Sequence, residues 1–311
     1  MWTWQSRWAG WWGIFLVLAL SLPGPVTMAQ ESEAIKTITV TVLPRKEGVK
    51  VPLLTKGDFS LRLDGQRQEI LSVKTPRDSV PLYLALLIQD DVTARVSNDL
   101  DALRAFIRRL PSNAQVMVAY ARAGTNEIRQ PFTTDLERAA KSLRAPNSTE
   151  AAAPGSPYQA VIELLKKFPD ESDVRKVMIF VSDGLDLYYG LRDSDPTLNL
   201  NLQRAINKAQ QKNVVIYAIY APTVEPMAGN ILAVGNGQSS LVRLSVETGG
   251  EAFFSGRTFV SFQPYLREIE RRLAHQYLIT YRATRTAPGF HRLRVMTELP
   301  DLRVYVKEGE R

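Results

Sequence analysis

The chain has 311 residues, a formal net charge of +7, 45% hydrophobic and 23% charged residues, and no cysteine. That balance is ordinary for a globular protein and excludes a disordered, collagenous or coiled-coil chain. Without cysteine there is no disulfide, thiol or lipid-anchor chemistry, so stability must come from core packing, for which the length suffices.

Arg7 is the only charge in residues 1–29, and it precedes an apolar run from Trp11 to Leu22. Pro23, Gly24 and Pro25 break the run, and Thr27 and Ala29 are small residues suited to cleavage. This order predicts a secretory signal peptide over 1–29. A run of about 12 residues falls short of the roughly 20 that cross a bilayer, an uncleaved anchor being the competing reading. The expected protein is exported, periplasmic or secreted, with no integral membrane span once the leader is gone. Loss of Arg7 lowers the charge from +7 to +6. The densest basic stretch, residues 267–272, is interleaved with Glu268 and Glu270, so no nucleic-acid surface is expected.

Residues 34–79 read as short strands. Residues 36–43 and 59–63 alternate, Asp64-Gly65 supplies a tight turn, and residues 68–73 return. From Pro81 the period changes. Residues 82–88 form a near-continuous apolar run, as in a strand buried on both faces. Leu100, Leu103, Phe106, Ile107 and Leu110 then make a helical stripe closed by Pro111. Strands at 115–120, 127–132, 176–183, 214–220 and 251–254 alternate with helices at 135–143, 158–168, 198–212, 241–248 and 260–273. Residues 145–157 are a loop of small residues, and strands at 277–282, 291–297 and 302–306 close the chain. Alternation across 80–275 predicts an α/β fold, with an open, mostly parallel sheet covered by helices on both faces. An isolated hairpin is marginal in water, so segments 34–79 and 276–311 are expected to pair into one smaller β-module.

Ligands of such sheets bind at the carboxyl ends of the strands. There the sequence delivers Asp90, Asp91 and Thr93 after the first strand, Ser156 at a helix start, and Asp183 before Gly184. Carboxylates and hydroxyls from three loops suit a hard cation such as Mg²⁺.

The segments at 86–91, 180–184 and 214–220 resemble successive core strands of von Willebrand factor type A domains. The whole mature chain is similar to a bacterial secreted family of VWFA-related proteins, through Asp58-Phe59, Leu63-Asp64-Gly65, Gln68-Glu69-Ile70, and the segments at 248–254 and 275–281. That resemblance implies an adhesion and complex-forming module. Its metal-ion-dependent adhesion site takes an Asp-x-Ser-x-Ser loop, a Thr or Ser from a second loop and an Asp from a third. Asp183-Gly184 matches the third element, and Ser156 after Gly155 the second. The first departs from the pattern: counted from Asp90 the hydroxyl positions hold Val92 and Ala94, and counted from Asp91 they hold Thr93 and Arg95. A site so altered is expected to bind Mg²⁺, Mn²⁺ or Ca²⁺ weakly or not at all, with Arg95 repelling the ion or standing in for it. In the competing reading Asp90 and Asp183 cap helices or pair with Arg95.

Other motifs carry less. Gly235-Asn-Gly237 lacks the third glycine and the preceding strand of a dinucleotide site. His275 and His291 lie far from the ligand edge and read as structural. No Gly-x-Ser-x-Gly elbow occurs. The sequon Asn147-Ser-Thr149 matters only in a eukaryotic secretory pathway. Tyr188, Tyr189 and Leu191 follow Asp183 and either anchor a partner or pack onto the next helix. The favoured function is an extracytoplasmic, non-enzymatic module that docks a protein or cell-envelope partner at this edge. The alternatives are an Mg²⁺-dependent hydrolase with Asp91 or Asp186 as base, and a structural envelope component.

All five tryptophans, Trp2, Trp4, Trp8, Trp11 and Trp12, precede the expected cleavage point. Purified exported protein excited at the red edge of the aromatic band should therefore give only weak, tyrosine-like emission. Indole emission would show that the segment is retained.

Overall fold

The computed structural model describes residues 32–46, 48, 50–75, 80–149, 155–223, 230–254, 261–285 and 289–310. The expected leader at 1–29 lies outside them. Alternation shapes the first strands, β1 (Ser32–Pro44), β2 (Phe59–Leu63) and β3 (Gln66–Lys74). In β1, Ile38, Val40 and Val42 take one face while Thr39 and Thr41 take the other, and all five are buried. Asp64 and Gly65 join β2 to β3 with φ of 49° and 84°. Positive φ at both central residues is what a tight hairpin turn requires, which is why Asp-Gly stands there.

The α/β layer follows: β4 (Leu82–Gln89), α1 (Leu100–Arg108), β5 (Ala114–Arg122), β6 (Thr125–Thr133), α2 (Leu136–Lys141), α3 (Pro157–Leu165), β7 (Arg175–Ser182), α4 (Leu200–Lys212), β8 (Val214–Tyr220), α5 (Ile231–Glu247), β9 (Ala252–Phe253) and α6 (Gln263–Leu273). The six strands lie in the order β6-β5-β4-β7-β8-β9. All neighbours are parallel except the β5–β6 hairpin. The apolar run of β4 serves two cores at once. Leu82, Leu84, Leu86 and Ile88 pack with Leu103 and Phe106 of α1, Ala139 of α2 and Ile269 of α6. Ala85 and Leu87 face the other way, onto Leu164 of α3, Leu202 of α4 and Leu241 of α5. Helices on both faces of a mostly parallel sheet are the arrangement expected from the sequence.

One helix departs from expectation. α5 starts at Ile231, not at 241. Gly235, Gly237, Ser239 and Ser240 are weak helix formers, so the sequence reads there as a loop. Tertiary packing overrides that propensity. Asn230 caps the helix by accepting from Leu232 N at 3.0 Å and Ala233 N at 3.2 Å. Gly237 then lets the helix touch the end of β7, since a Cβ there would lie 2.4 Å from the Asp183 carbonyl oxygen. Gly184, at φ +72°, answers from the other side, and its Cβ would meet Gly237 O at 2.4 Å. Gly237 is the contact that sets α5 on the sheet, while Gly235 faces open space.

The chain ends in β10 (Gln276–Arg285), β11 (His291–Thr297), β12 (Leu302–Tyr305) and β13 (Gly309–Glu310), the last too short to read from sequence. These strands join β1–β3 in a seven-stranded antiparallel sheet of order β12-β1-β10-β3-β2-β11-β13. β10 lies between β1 and β3, in register from Ser32↔Arg285 to Thr41↔Gln276 on the β1 side. β2 pairs with β11. Their shared core contains Ile38, Val40, Val42, Leu61, Leu63, Tyr277, Ile279 and Tyr281. The opposite face of β1 meets the α/β layer, where Thr39 N donates to Asn213 Oδ1 at 3.2 Å. Asn213 is the left-handed cap that ends α4.

β1 and β3 both depend on β10, and β2 on β11, for the hydrogen bonds on one edge. A peptide of residues 30–79 is therefore expected to show no cooperative thermal transition by circular dichroism. A sigmoidal, reversible transition from that peptide would sink the idea that the two ends of the chain stabilise each other.

Candidate functional site

β4 and β7 run parallel, so their carboxyl ends deliver Asp90, Asp91 and Asp183 to one edge of the sheet. Asp90 is 2% exposed. A carboxylate so buried needs a counter-charge and donors for its lone pairs. Arg144 supplies the charge, donating from Nη1 to Oδ1 at 2.6 Å and from Nη2 to Oδ2 at 3.2 Å. Asn147 adds its backbone N–H at 3.1 Å and its Nδ2 at 2.6 Å. Arg122 stands 3.8 Å from Oδ2. Arg144 is itself seated over the Tyr120 ring at 4.0 Å and paired with Glu127 at 2.7 Å. Its hydrogen bonds to Asp90 hold the guanidinium protonated even more firmly than usual.

Asp91, the next residue, is treated differently. It is 6% exposed, and its Oδ1 has no hydrogen-bond partner. Burial pushes its carboxyl above the ordinary aspartate range, while a hydrogen bond from Gln89 and the charge of Arg122 pull the other way. Thr93 Oγ1 is also buried without a partner. Both side chains sit on a fixed backbone: Val92 forms a bridge with Thr223, and Thr93 N donates to Pro222 O at 2.8 Å. A small cleft lies alongside, lined by Gln89, Asp91, Arg122, Leu185 and Leu187.

The other two expected site residues are engaged by side chains of neighbouring loops. Ser156 donates to Asp186 at 2.6 Å, and Asp186 also accepts from Asn201 Nδ2 at 3.1 Å and Tyr188 N at 3.0 Å. Those three bonds make Asp186 the anchor of the loop after β7. Asp183 accepts from Thr223 Oγ1 at 2.8 Å and from Leu185 N at 3.0 Å. Ser182 reaches across to Gln89 and bonds Gly184 N at 2.9 Å.

A divalent cation wants several oxygens aimed at one point. Of Asp90, Asp91, Thr93, Ser156 and Asp183, only Asp91 and Thr93 present a buried oxygen without a partner. The other three spend hydrogen-bonding capacity on protein donors or acceptors. Among the described residues no group of three or more His, Cys, Asp or Glu side chains is placed to hold a metal ion. The residues present do not fit a complete adhesion-type metal site.

Arg95 lies away from the site's carboxylates, exposed to solvent. It was expected to pair with Asp90 or Asp183 or to crowd the ion, but it sits on the turn that leads into α1. The cations at the site are Arg144 and Arg122, 54 and 32 residues from Asp90 in sequence. Asn147, seen only as a sequon, is a ligand of Asp90. Tyr188 and Tyr189 are 47% and 56% exposed, edge to face at 4.7 Å. The histidines have structural partners: His275 Nδ1 lies 2.7 Å from Arg271 O, and His291 Nδ1 lies 2.7 Å from Asp64 Oδ2.

The strand order and the flanking helices form the open α/β sheet that the resemblance to von Willebrand type A domains implies. No family model and no curated protein sequence matches the chain. Among solved structures it is similar to an aerotolerance-related membrane protein from Bacteroides fragilis, at TM-score 0.45 and 12% identity over 63% of this chain and 98% of that one. It is also similar to BatB, a conserved hypothetical protein from Bacteroides thetaiotaomicron, at 0.44 and 16% over the same 63% and 98%. The ArnB paralog VWA2 from Sulfolobus acidocaldarius aligns over 89% of this chain and 75% of its own, at 0.39 and 9%.

A carboxyl whose pKa is raised by folding gives stability at low pH. That stability is lost as pH rises from the unfolded value, near 3.8, through the higher folded value. Asparagine cannot ionise, so Asp91→Asn escapes this loss. The variant is expected to be more stable than wild type at neutral pH by about 1 kcal/mol. The gain should shrink as pH falls toward the ordinary aspartate range. Denaturant melts across that range check it, and a less stable variant at neutral pH contradicts it.

Proposed function

We propose that the protein is an exported, non-enzymatic binding module that docks a protein or cell-envelope partner at the carboxyl edge of its six-stranded sheet. Asp91 and Thr93 supply the polar contact, and Tyr188 and Tyr189 the apolar one. The observation that carries this reading is the pair of buried, unanswered oxygens, Asp91 Oδ1 and Thr93 Oγ1, with Asp91 lining a cleft at that edge. Leaving such atoms without partners costs stability, and a partner's donor, or a hydrated cation shared with it, restores what is missing. Exposed tyrosines beside a polar contact are suited to anchoring, because their rings bury large apolar area with little loss of side-chain freedom. If Mg²⁺, Mn²⁺ or Ca²⁺ takes part, Asp91 and Thr93 are its ligands, and a partner carboxylate completes its shell. The resemblance to bacterial VWFA-related proteins and the leader-like segment at 1–29 support placement outside the cytoplasm. Among the described residues no helix is long and apolar enough to cross a membrane.

Capture from envelope extract tests the proposal with wild type, Asp91→Ala, and the double variant Tyr188→Ser with Tyr189→Ser, each with and without chelator. A partner held by wild type and lost from both variants is the expected result. Sensitivity to chelator assigns a cation to the contact. Equal capture by all three proteins overturns the site.

A further inference from the structure

At the opposite, amino-terminal edge of the six-stranded sheet, a cavity of roughly 460 Å³ opens between the last turns of α1 and α6. Leu82, Leu110 and Leu273 give it apolar walls, and Arg109, Arg175 and Glu270 also line it. Its volume lies within the ~300–1,000 Å³ usual for small-ligand sites.

Arg175 sets the chemistry. It is the first residue of β7 and is 8% exposed. Nη1 donates to Leu273 O at 2.9 Å and Nη2 to Val80 O at 3.4 Å, while the buried Nε finds no partner. Two backbone carbonyls therefore face a full guanidinium charge. Among the described residues no carboxylate ion-pairs with it, and burial alone pulls its pKa down. Among the described residues that line the cavity, the one acid is already spent, because Glu270 pairs with Arg109 at 2.6 Å. What remains is one buried positive charge above an apolar floor. A cationic ligand is repelled there, and a neutral one leaves the guanidinium uncompensated. A carboxylate matches the guanidinium fork, and an aliphatic or aromatic body covers the leucines.

We propose that this cavity binds a small organic carboxylate with an apolar body, its head meeting Arg175 and its body lying on Leu82, Leu110 and Leu273. The site is separate from the carboxyl-edge contact and does not depend on it.

Calorimetric titration of the full chain with sodium octanoate tests the proposal. Saturable one-site binding with a dissociation constant below about 1 mM is expected. Ala274→Trp, at an exposed position on the cavity lining, should abolish it without moving the thermal transition. Arg175→Gln keeps a donor for the Leu273 carbonyl and should weaken binding at least about tenfold. 1-Octanol, the same body without the charge, should bind at least about tenfold more weakly than octanoate. No saturable heat with octanoate, unchanged binding by a folded Ala274→Trp, or octanol binding as well as octanoate would each overturn the proposal.

Discussion

A carboxylate buried at the end of a parallel strand has to be neutralised, and here the chain neutralises Asp90 with its own arginine. Arg144 makes two hydrogen bonds to it and Asn147 two more. The residues that carry these donors belong to the loop after α2, and that loop is pinned by the same contacts. Ser148 adds a backbone bond to Asp90 O at 3.1 Å and a hydroxyl bond to Val92 O at 2.8 Å. Removing the guanidinium would leave a buried negative charge, a far larger penalty than the loss of a surface pair. The clamp therefore fixes the position of Asp91, Val92 and Thr93, and through them the whole carboxyl edge.

The second constraint is that the helices behind this edge are held at both ends. At the site end, Asn201 of α4 bonds Asp186, and Gly237 of α5 rests on Asp183 and Gly184. At the far end the last residues of the chain cross both helices. Lys307 Nζ, buried, donates to Gln210 O in the last turn of α4 at 2.9 Å and pairs with Glu310 at 2.8 Å. Glu308 N donates to Glu247 O, the last residue of α5, at 3.1 Å. A cation at a helix carboxyl terminus answers free carbonyls and the negative end of the helix dipole. Glu310 in turn holds Lys36 of β1 at 3.0 Å. The antiparallel sheet thus fastens α4 and α5, and those helices support the loops of the site.

The fold was legible because its signals are local. The apolar run of β4, the stripe of α1 and the Asp64-Gly65 turn each lie within a dozen residues, and each formed as read. The interleaving of the two chain ends was legible too, since strand segments with no helix to cover them must find each other. The site was legible only in part. Parallel β4 and β7 carry Asp90, Asp91 and Asp183 to one edge, while Ser156 stands at the start of α3. Which of them faces which partner depends on Arg144 and Asn147, more than 50 residues away in sequence, and on Thr223 opposite Asp183. Periodicity holds no information about such pairings. α5 reads shorter in the sequence for a related reason: its glycines are poor helix formers, and the purpose of Gly237 is visible only when Asp183 and Gly184 stand against it.

Asp90 and Asp91 stand side by side, are almost equally buried, and meet opposite fates. The chain does not lack cations, for Arg122 lies near both. The difference is geometric. Successive side chains at a strand end point to different sides, and only the side of Asp90 faces the loop that carries Arg144 and Asn147. The bridge between Val92 and Thr223, with the bond from Thr93 N to Pro222 O, holds the next turn of chain, and Asp91 Oδ1 is left without a partner. Residues that break a local rule while every neighbour obeys it are where a fold gives up stability for a contact. The proposed contact at this edge therefore rests on Asp91 and Thr93, with Asp90 and its clamp fixing the backbone beside them.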